Sequence, residues 1–434
     1  MGWPDNTISL RQGGSNIVAL LGDSITAANN VLGGSPSTTD TYTLGYYTHA
    51  DFLTHKRFFT DASLNFGVNG ETSTQIRARV SSVISSSANI CVELSGAVDI
   101  ANGVDPTTIL TNRLAIWNAL VAAGITVIVG TILPQGNLTA AKGRVLEYTN
   151  YLIRKTVLSM AGVYLWDGYK VLADPAGTNG SPISAYFVSS EAPSYLHPNK
   201  NGAYYLGKEL ASVLNALYPF AIPQRGNYSI ADVYHATDAP QGNLLTGSTF
   251  AANGGTASTG ASGVIAAGFT LFRSIGSTIT AVGSKGTTTV GGQTFATQII
   301  TVTSGGTGVA NEEIIFFQDF ATNGSVADTV IIGADIGYSA APTLLQYAGL
   351  RLQGNGADAY STASRSNYHY EAARPAEYLP EAATGHVMSI KALAQSAILT
   401  PQTSMRYNAI IGVNGTVAGS CVITIALPYA RKNI

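Results

Sequence analysis

The 434-residue chain is 45% hydrophobic and only 11% charged, where about 25% charged is usual for a globular protein. Such a composition supports packed cores and argues against a disordered chain, which is charge-rich and poor in apolar residues. Lys and Arg number 23 against 25 Asp and Glu; with no basic surplus to neutralise phosphates, a nucleic-acid partner is not expected.

The first residues, MGWPDNTISLRQGG, carry no basic n-region and no apolar h-region, so no signal peptide is visible. No run approaches the ~20 apolar residues of a membrane span, and a soluble protein without a membrane partner is expected. From Ile17 to about Tyr218, short runs rich in Val, Ile and Leu predict strands: NIVALLG (16–22), SLNFGV (63–68), NICVEL (89–94), ITVIVGT (125–131) and VYLWD (163–167). Their near-continuous apolar character suits strands buried on both faces. The segments between and after them carry apolar stripes at spacings near three and four, as one helix face requires. The stripes are Ile76, Val80, Val83 and Ile84; Ile109, Leu110, Leu114, Trp117 and Val121; Leu146, Ile153, Val157 and Met160, interrupted by Asn150; and Leu206, Leu210, Val213, Leu214 and Leu217. This alternation predicts a parallel sheet covered by helices on both sides.

The segment YPFAIPQRGNYS (218–229), with two prolines and a glycine, marks a domain boundary, giving domains 1–222 and 223–434. Beyond it the pattern changes: between Ala239 and Asn311 only Arg273 and Lys285 are charged. Short runs such as QIITVT, EIIFFQDF, DTVIIGA, YNAIIGV and SCVITIAL alternate with Gly- and Asn-rich turns. They predict an all-β sandwich of jelly-roll type. The Gly/Ser/Thr stretch at 252–263 reads as a long loop or a flexible segment. Phe316, Phe317 and Phe320 read as core. Cys91 and Cys421 lie far apart, each in an apolar run; this excludes a disulfide scaffold or a Cys-based metal cluster and suits buried small hydrophobes.

Chemistry concentrates in the first half. The first strand runs into LLGDSITAANN. A Ser just after a buried strand, at the entry to a helix, has its hydroxyl at the carboxyl edge of the sheet, where ligands of open α/β sheets bind. On its own, GDS also fits an ordinary N-cap at Asp23 or Ser24. NFGVNGETS (65–73) brings Gly70 to the same edge, and SYLHPNKNGAYYLGKELASVL (194–214) puts His197 just before the final helix. A turn glycine and a helix-capping surface histidine are the bland readings of those two. His49, His55 and His235 are isolated and read as solvated; His369 and His386 lack metal-ligand spacing. Tyr368, His369 and Tyr370 sit together, with the tyrosines on one face by alternation. They suit edge packing, or less readily a sugar contact.

Four blocks in order resemble the SGNH hydrolases, the GDSL-type esterase group: Gly22-Asp23-Ser24-Ile25, the stretch around Asn65 and Gly70, LSGAVDIANG (94–103) and LHPNKNGAYYLGKEL (196–210). The resemblance covers about residues 14–218. It implies a flavodoxin-like three-layer fold and ester hydrolysis through an acyl-enzyme, with no cofactor. It makes Ser24 the nucleophile, His197 the base and then the acid, and the backbone N–H groups of Ser24 and Gly70 the donors to the oxyanion. Two positions depart from the family. Val98 stands where the family has an oxyanion Asn, and Ser194 where it has the Asp that orients the His. Glu191 and Asp174 are the carboxylates nearest in sequence, but Pro193 stiffens the approach of Glu191. An orienting group other than a nearby acid is therefore expected.

The resulting expectation is an esterase removing acetyl or other small acyl groups from a polysaccharide, with the β-sandwich binding glycan or mediating assembly. Two other classes stay open: a degenerate SGNH domain that binds glycan without efficient hydrolysis, and a structural, virion-tail adhesin. An extracellular or virion-associated protein is expected over a cytoplasmic one, and the oligomeric state is not legible.

Overall fold

The computed structural model describes residues 16–31, 45–60, 62–219, 234, 242–290, 293–322, 329–339, 344–354, 381–392 and 404–433. The chain divides into two units between Pro219 and Phe220.

In the first unit the five apolar runs become β1 (Val18–Gly22), β2 (Asn65–Gly67), β3 (Ile90–Leu94), β4 (Thr126–Gly130) and β5 (Val163–Trp166). They pair in parallel in the order β2-β1-β3-β4-β5. β1 and β3 have a strand on each side and are buried at every position. β5 is an edge strand and leaves Tyr164 39% exposed, so the burial on both faces expected of every run holds for the inner strands only. Around the sheet lie α1 (Ser24–Ala27), α2 (Tyr46–Leu53), α3 (Ser73–Ala78), α4 (Val80–Ile84), α5 (Ala97–Asn102), α6 (Pro106–Ala122), α7 (Ala140–Val157), α8 (Gly168–Leu172) and α9 (Lys200–Leu217). The three long helices start on side-chain caps, Asp105, Thr139 and Asn199, which accept from N–H groups of the first turn that have no partner within the helix.

Alternation along β1 divides the core in two. Ala19 and Leu21 face a cluster with Ile109, Ile116 and Trp117 of α6 and Leu146 and Ile153 of α7. Val18 and Leu20 face a second cluster with Tyr46, Tyr47 and Ala50 of α2 and Leu206, Leu210 and Leu214 of α9. Helices on both faces of a parallel sheet make the three-layer α/β architecture of the SGNH type. The expected stripes fall in these layers, apart from the exposed Ile84. Asn150 is more than an interruption: its buried amide accepts from Ile132 N (2.8 Å) and donates to Ile132 O (2.9 Å), fastening α7 to the segment after β4. Glu93 of β3 and Arg113 of α6 form a fully buried ion pair at 2.7 Å, and Trp117 Nε1 donates to the same carboxylate at 3.0 Å. Removing one partner of such a pair costs about 3–5 kcal/mol, because a buried charge is left uncompensated.

α2 lies outside the predicted elements, and it corrects the reading of His49. That residue is buried, edge-on to Tyr204 of α9 with ring centroids 5.5 Å apart. Burial, with a smaller contribution from Lys200, pushes its imidazole down to about 3, so it is neutral. His55, just past α2, is half-buried.

The second unit is all β: β6 (Thr256–Ala257), β7 (Ala261–Gly263), β8 (Thr270–Ile275), β9 (Thr280–Val290), β10 (Gln293–Gly305), β11 (Glu312–Ala321), β12 (Thr329–Tyr338), β13 (Leu345–Gly354), β14 (Ala383–Ala392), β15 (Ser404–Val413) and β16 (Ala418–Asn433). They form two sheets, β14-β12-β16-β10-β9-β7 and β13-β15-β11-β8-β6, consistent with a β-sandwich. β6 and β7 come from the stretch 252–263 expected as loop. That stretch has few side chains to bury, yet its backbone groups pair in parallel with β8 and β9 and so are satisfied. Phe316 and Phe320 are core, as expected, and Phe316 stacks on Phe269 at 4.6 Å. Phe317 points to the other face and packs on Phe272. Cys91 and Cys421 are buried and free. His386 of β14 is buried between Asp335 Oδ1 (3.0 Å) on the adjacent β12 and Tyr429 OH (3.2 Å) on β16, one strand further along the sheet. His235, Tyr368, His369 and Tyr370 lie outside the described residues, as does most of 218–229. Among the described residues no helix is long and apolar enough to cross a membrane.

Candidate active site

β1 ends at Gly22 and the chain turns directly into α1. Asp23 is the N-cap: its side chain accepts from Ile25 N at 3.0 Å and its carbonyl from Ala27 N at 2.9 Å. Ser24 is therefore the first helical residue, at the carboxyl edge of the sheet. β2 runs beside β1, with Gly22 opposite Gly67. A Cβ on Gly67 would lie 2.2 Å from the Ala27 nitrogen, so only glycine allows β2 this close to α1. Asn65 closes the contact, donating to Thr26 O (3.2 Å) and accepting from Gly67 N (2.9 Å). Three residues beyond β2, Gly70 is exposed and has φ +76°, a left-handed conformation that glycine adopts without steric cost.

The histidine arrives from the far end of the unit. Ser189–Glu191 form a 3₁₀ turn, and the N–H groups of Ser194 and Tyr195 return to the Glu191 carbonyl at 2.8 and 3.2 Å. This fold-back sets the Glu191 carboxylate against His197. Oε2 accepts from the backbone N–H groups of Leu196 (3.1 Å) and His197 (2.9 Å), and Oε1 lies 2.6 Å from His197 Nδ1. On the other side of the ring, Nε2 lies 2.7 Å from Ser24 Oγ. A carboxylate can only accept, so the proton sits on Nδ1 and Nε2 is free to accept from the Ser24 hydroxyl. The arrangement can take the proton from a serine as it attacks.

Ser24 and His197 are thus in direct contact, while Gly70 stands at the same sheet edge with no side chain to meet either. The expectation of an orienting group other than a nearby acid is overturned by Glu191. Pro193 does not keep it away, because the proline lies inside the turn that the Ser194 and Tyr195 N–H groups close onto the Glu191 carbonyl, and the glutamate side chain spans the remaining gap. Ser194 is exposed and engaged through its carbonyl by Gly136 N at 2.7 Å. Asp174 serves a local turn, accepting from Ala176 N at 2.9 Å. Val98 is the second residue of α5 and offers no side-chain donor. Its neighbour Asp99 is buried and accepts from Ser73 N and Oγ, both at 2.7 Å, which fastens the start of α3, just beyond Gly70, to α5. Beside His197 is a cavity of about 20 Å³ lined by Ile25, Ala28, Tyr46, Pro198, Ala203 and Leu206, room for one water- or methyl-sized group.

Asp23 is 1% exposed. Burial pushes its carboxyl up to about 7; the Ile25 N–H opposes the rise, and Glu93 and Asp99 add to it. Between pH 4 and 7 the folded state keeps a proton that the unfolded chain has lost, so this group lowers stability as pH rises through that window. Asp23→Asn keeps the cap oxygen and removes the titration. Relative to wild type, the variant is expected to gain about 2–3 kcal/mol between pH 5 and pH 8, at about 1.4 kcal/mol per pKa unit. Denaturant unfolding at the two pH values measures it; a difference between the proteins that does not change with pH would refute the assignment.

Among the described residues no group of three or more His, Cys, Asp or Glu is placed to hold a metal ion. Residues 20–204 match the model of the GDSL-like Lipase/Acylhydrolase family. This part of the chain is a GDSL-type SGNH hydrolase domain, on an α/β fold of the matching kind. No curated protein matches the chain. Among solved structures, a GDSL-like lipase from Bacteroides thetaiotaomicron is 17% identical with a TM-score of 0.34, over 49% of this chain and 92% of its own. A carbohydrate esterase family 3 protein from Talaromyces cellulolyticus is 18% identical with a TM-score of 0.33, over 46% and 97%. A member of the lipolytic G-D-S-L family from Veillonella parvula is 15% identical with a TM-score of 0.34, over 46% and 98%.

Proposed function

We propose that the first unit is a serine esterase that removes acetyl groups from a carbohydrate. The observation that carries the reading is the chain from Ser24 Oγ through His197 to Glu191, with links of 2.7 and 2.6 Å. Ser24 Oγ bonds to the ester carbonyl carbon while His197 Nε2 takes its proton. The bond to the alcohol oxygen then breaks as His197 returns that proton to it. Water, activated by the same ring, frees the acid from Ser24. Glu191 holds the tautomer and stabilises the imidazolium, and the N–H groups of Ser24 and Gly70 meet the oxyanion.

The choice of an acetyl group is supported by the cavity beside His197, which at about 20 Å³ suits a methyl group. The carbohydrate alcohol is supported more broadly, by the pairing of an esterase fold with an all-β unit. The half-exposed rings of Tyr148 and Tyr151, stacked 6.1 Å apart on α7, also offer aromatic surface. On p-nitrophenyl esters, kcat/KM for acetate is expected to exceed that for octanoate at least about tenfold, since each misfitting methylene costs roughly that much or more. Leu206→Ala enlarges the cavity and should narrow the gap. Equal rates on both esters in the wild type would remove the cavity as the acyl site. Release of acetate from an acetylated polysaccharide by wild type, and not by Ser24→Ala, tests the alcohol side.

A further inference from the structure

We infer that Arg79 is a positioning residue for the oxyanion site, its guanidinium clamping the end of β1 to the loop that carries Gly70. The inference rests on the reading of Ser24 and Gly70 given above. Arg79 stands at the break between α3 and α4, at φ −118° and ψ 16°. From there Nη2 donates to Gly22 O at 3.1 Å, Nη1 to Phe66 O at 2.7 Å and Nε to Glu71 Oε2 at 2.5 Å. Gly22 lies two residues before Ser24. Phe66 and Glu71 bracket Gly70. One rigid, planar group thus grips both segments whose backbone N–H groups must converge on one oxygen.

Gly70 itself has no side chain by which the loop could be held at this point. A Cβ at Gly70 would meet nothing within 4 Å, so packing does not fix this residue. Val68 N donates to Gly22 O at 3.1 Å, and Asp99 secures Ser73 on the far side. Between those two ties Gln75 Oε1 accepts from Thr72 N and Oγ1, both at 2.9 Å, which fixes the start of α3, and the Arg79–Glu71 pair restrains the residue directly after Gly70. With side chains only 22% and 16% exposed, the pair is largely withdrawn from water, where charge-assisted hydrogen bonds keep more of their strength. Val98 increases the demand on this restraint. With no third side-chain donor there, two backbone donors carry the oxyanion, and the benefit of each depends on geometry fixed before reaction.

The test is steady-state kinetics on p-nitrophenyl acetate for Arg79→Met, Arg79→Lys and Glu71→Gln, with thermal unfolding of each. Misaligned donors weaken only the transition state, so kcat should fall about 10- to 100-fold in Arg79→Met while KM stays within about twofold. Arg79→Lys should be nearly as slow, because an ammonium cannot span three acceptors in a plane. Methylguanidinium, well below denaturing concentrations, should restore part of the rate in Arg79→Ala. A kcat within about twofold of wild type in both Arg79→Met and Glu71→Gln overturns the inference, as does a rise in KM at constant kcat. If Arg79→Met fails to fold, Glu71→Gln decides: about a tenfold loss in kcat supports the clamp, and an unchanged kcat overturns it. Full activity in Ser24→Ala would instead sink the underlying esterase reading, which keeps the two failures apart.

Discussion

Ser24→Ala is expected to lower kcat on a small acetate ester by about 10⁴- to 10⁶-fold and to abolish labelling by a fluorophosphonate probe. The size of the effect follows from the geometry. Ser24 Oγ is 2.7 Å from His197 Nε2, and the Glu191 carboxylate obliges that nitrogen to accept. Without the hydroxyl no acyl-enzyme forms, and only binding and oxyanion contacts are left to accelerate attack by water. Groups that act as one unit are not additive. His197→Ala should therefore cost about as much as Ser24→Ala, and the double variant little more than either. Stopped-flow and steady-state rates on the three variants check this. If the losses multiply instead, or the probe labels wild type and Ser24→Ala equally, Ser24 is not the nucleophile.

How far this site is legible in the sequence depends on how local each residue's partners are. Ser24 needs only a buried strand before it and a helix after it, and both patterns are plain from residue 16 to 27. His197 is signalled by its position ahead of the amphipathic α9. Glu191 is discounted in the sequence because the spacing differs from the family's and Pro193 intervenes. Its role depends on a 3₁₀ turn and a fold-back that send two N–H groups to one carbonyl, and no periodicity announces that. Arg79 is less legible still. Its acceptors Gly22 O and Phe66 O lie 57 and 13 residues away, and being backbone carbonyls they leave no trace in residue type. His49 is misread for the opposite reason. Its helix, YYTHADFL, places Tyr46, Ala50 and Leu53 at helical spacing, a signal that was present but short. In the β unit alternation gives the strands, whereas the pairing of residues 252–263 depends on backbone hydrogen bonds to which Gly, Ser and Thr contribute no pattern.

Glu191→Gln should be the most damaging change that leaves Ser24 and His197 intact, lowering kcat/KM by about 10³- to 10⁴-fold. The loss arises from the two backbone N–H groups, of Leu196 and His197, that donate to Oε2. In the glutamine variant the amide oxygen must occupy that position, since the NH₂ would face two donors. The NH₂ is then directed at Nδ1, which has to accept. The imidazole proton moves to Nε2, where it confronts the Ser24 hydroxyl and cannot take its proton. The side chains of Glu191 and His197 are 22% and 20% exposed, so water can relieve part of the defect, which sets the lower end of the range. Ser194→Asp is the counterpart. Residue 194 is exposed and held through its carbonyl, so a carboxylate there adds negative charge without reaching a ring nitrogen that Glu191 already occupies. Its kcat/KM should stay within about threefold of wild type or fall. A rise of a decade or more in Ser194→Asp, together with near-normal rates in Glu191→Gln, would show that the orienting carboxylate belongs at position 194 and that Glu191 only shapes the turn before His197.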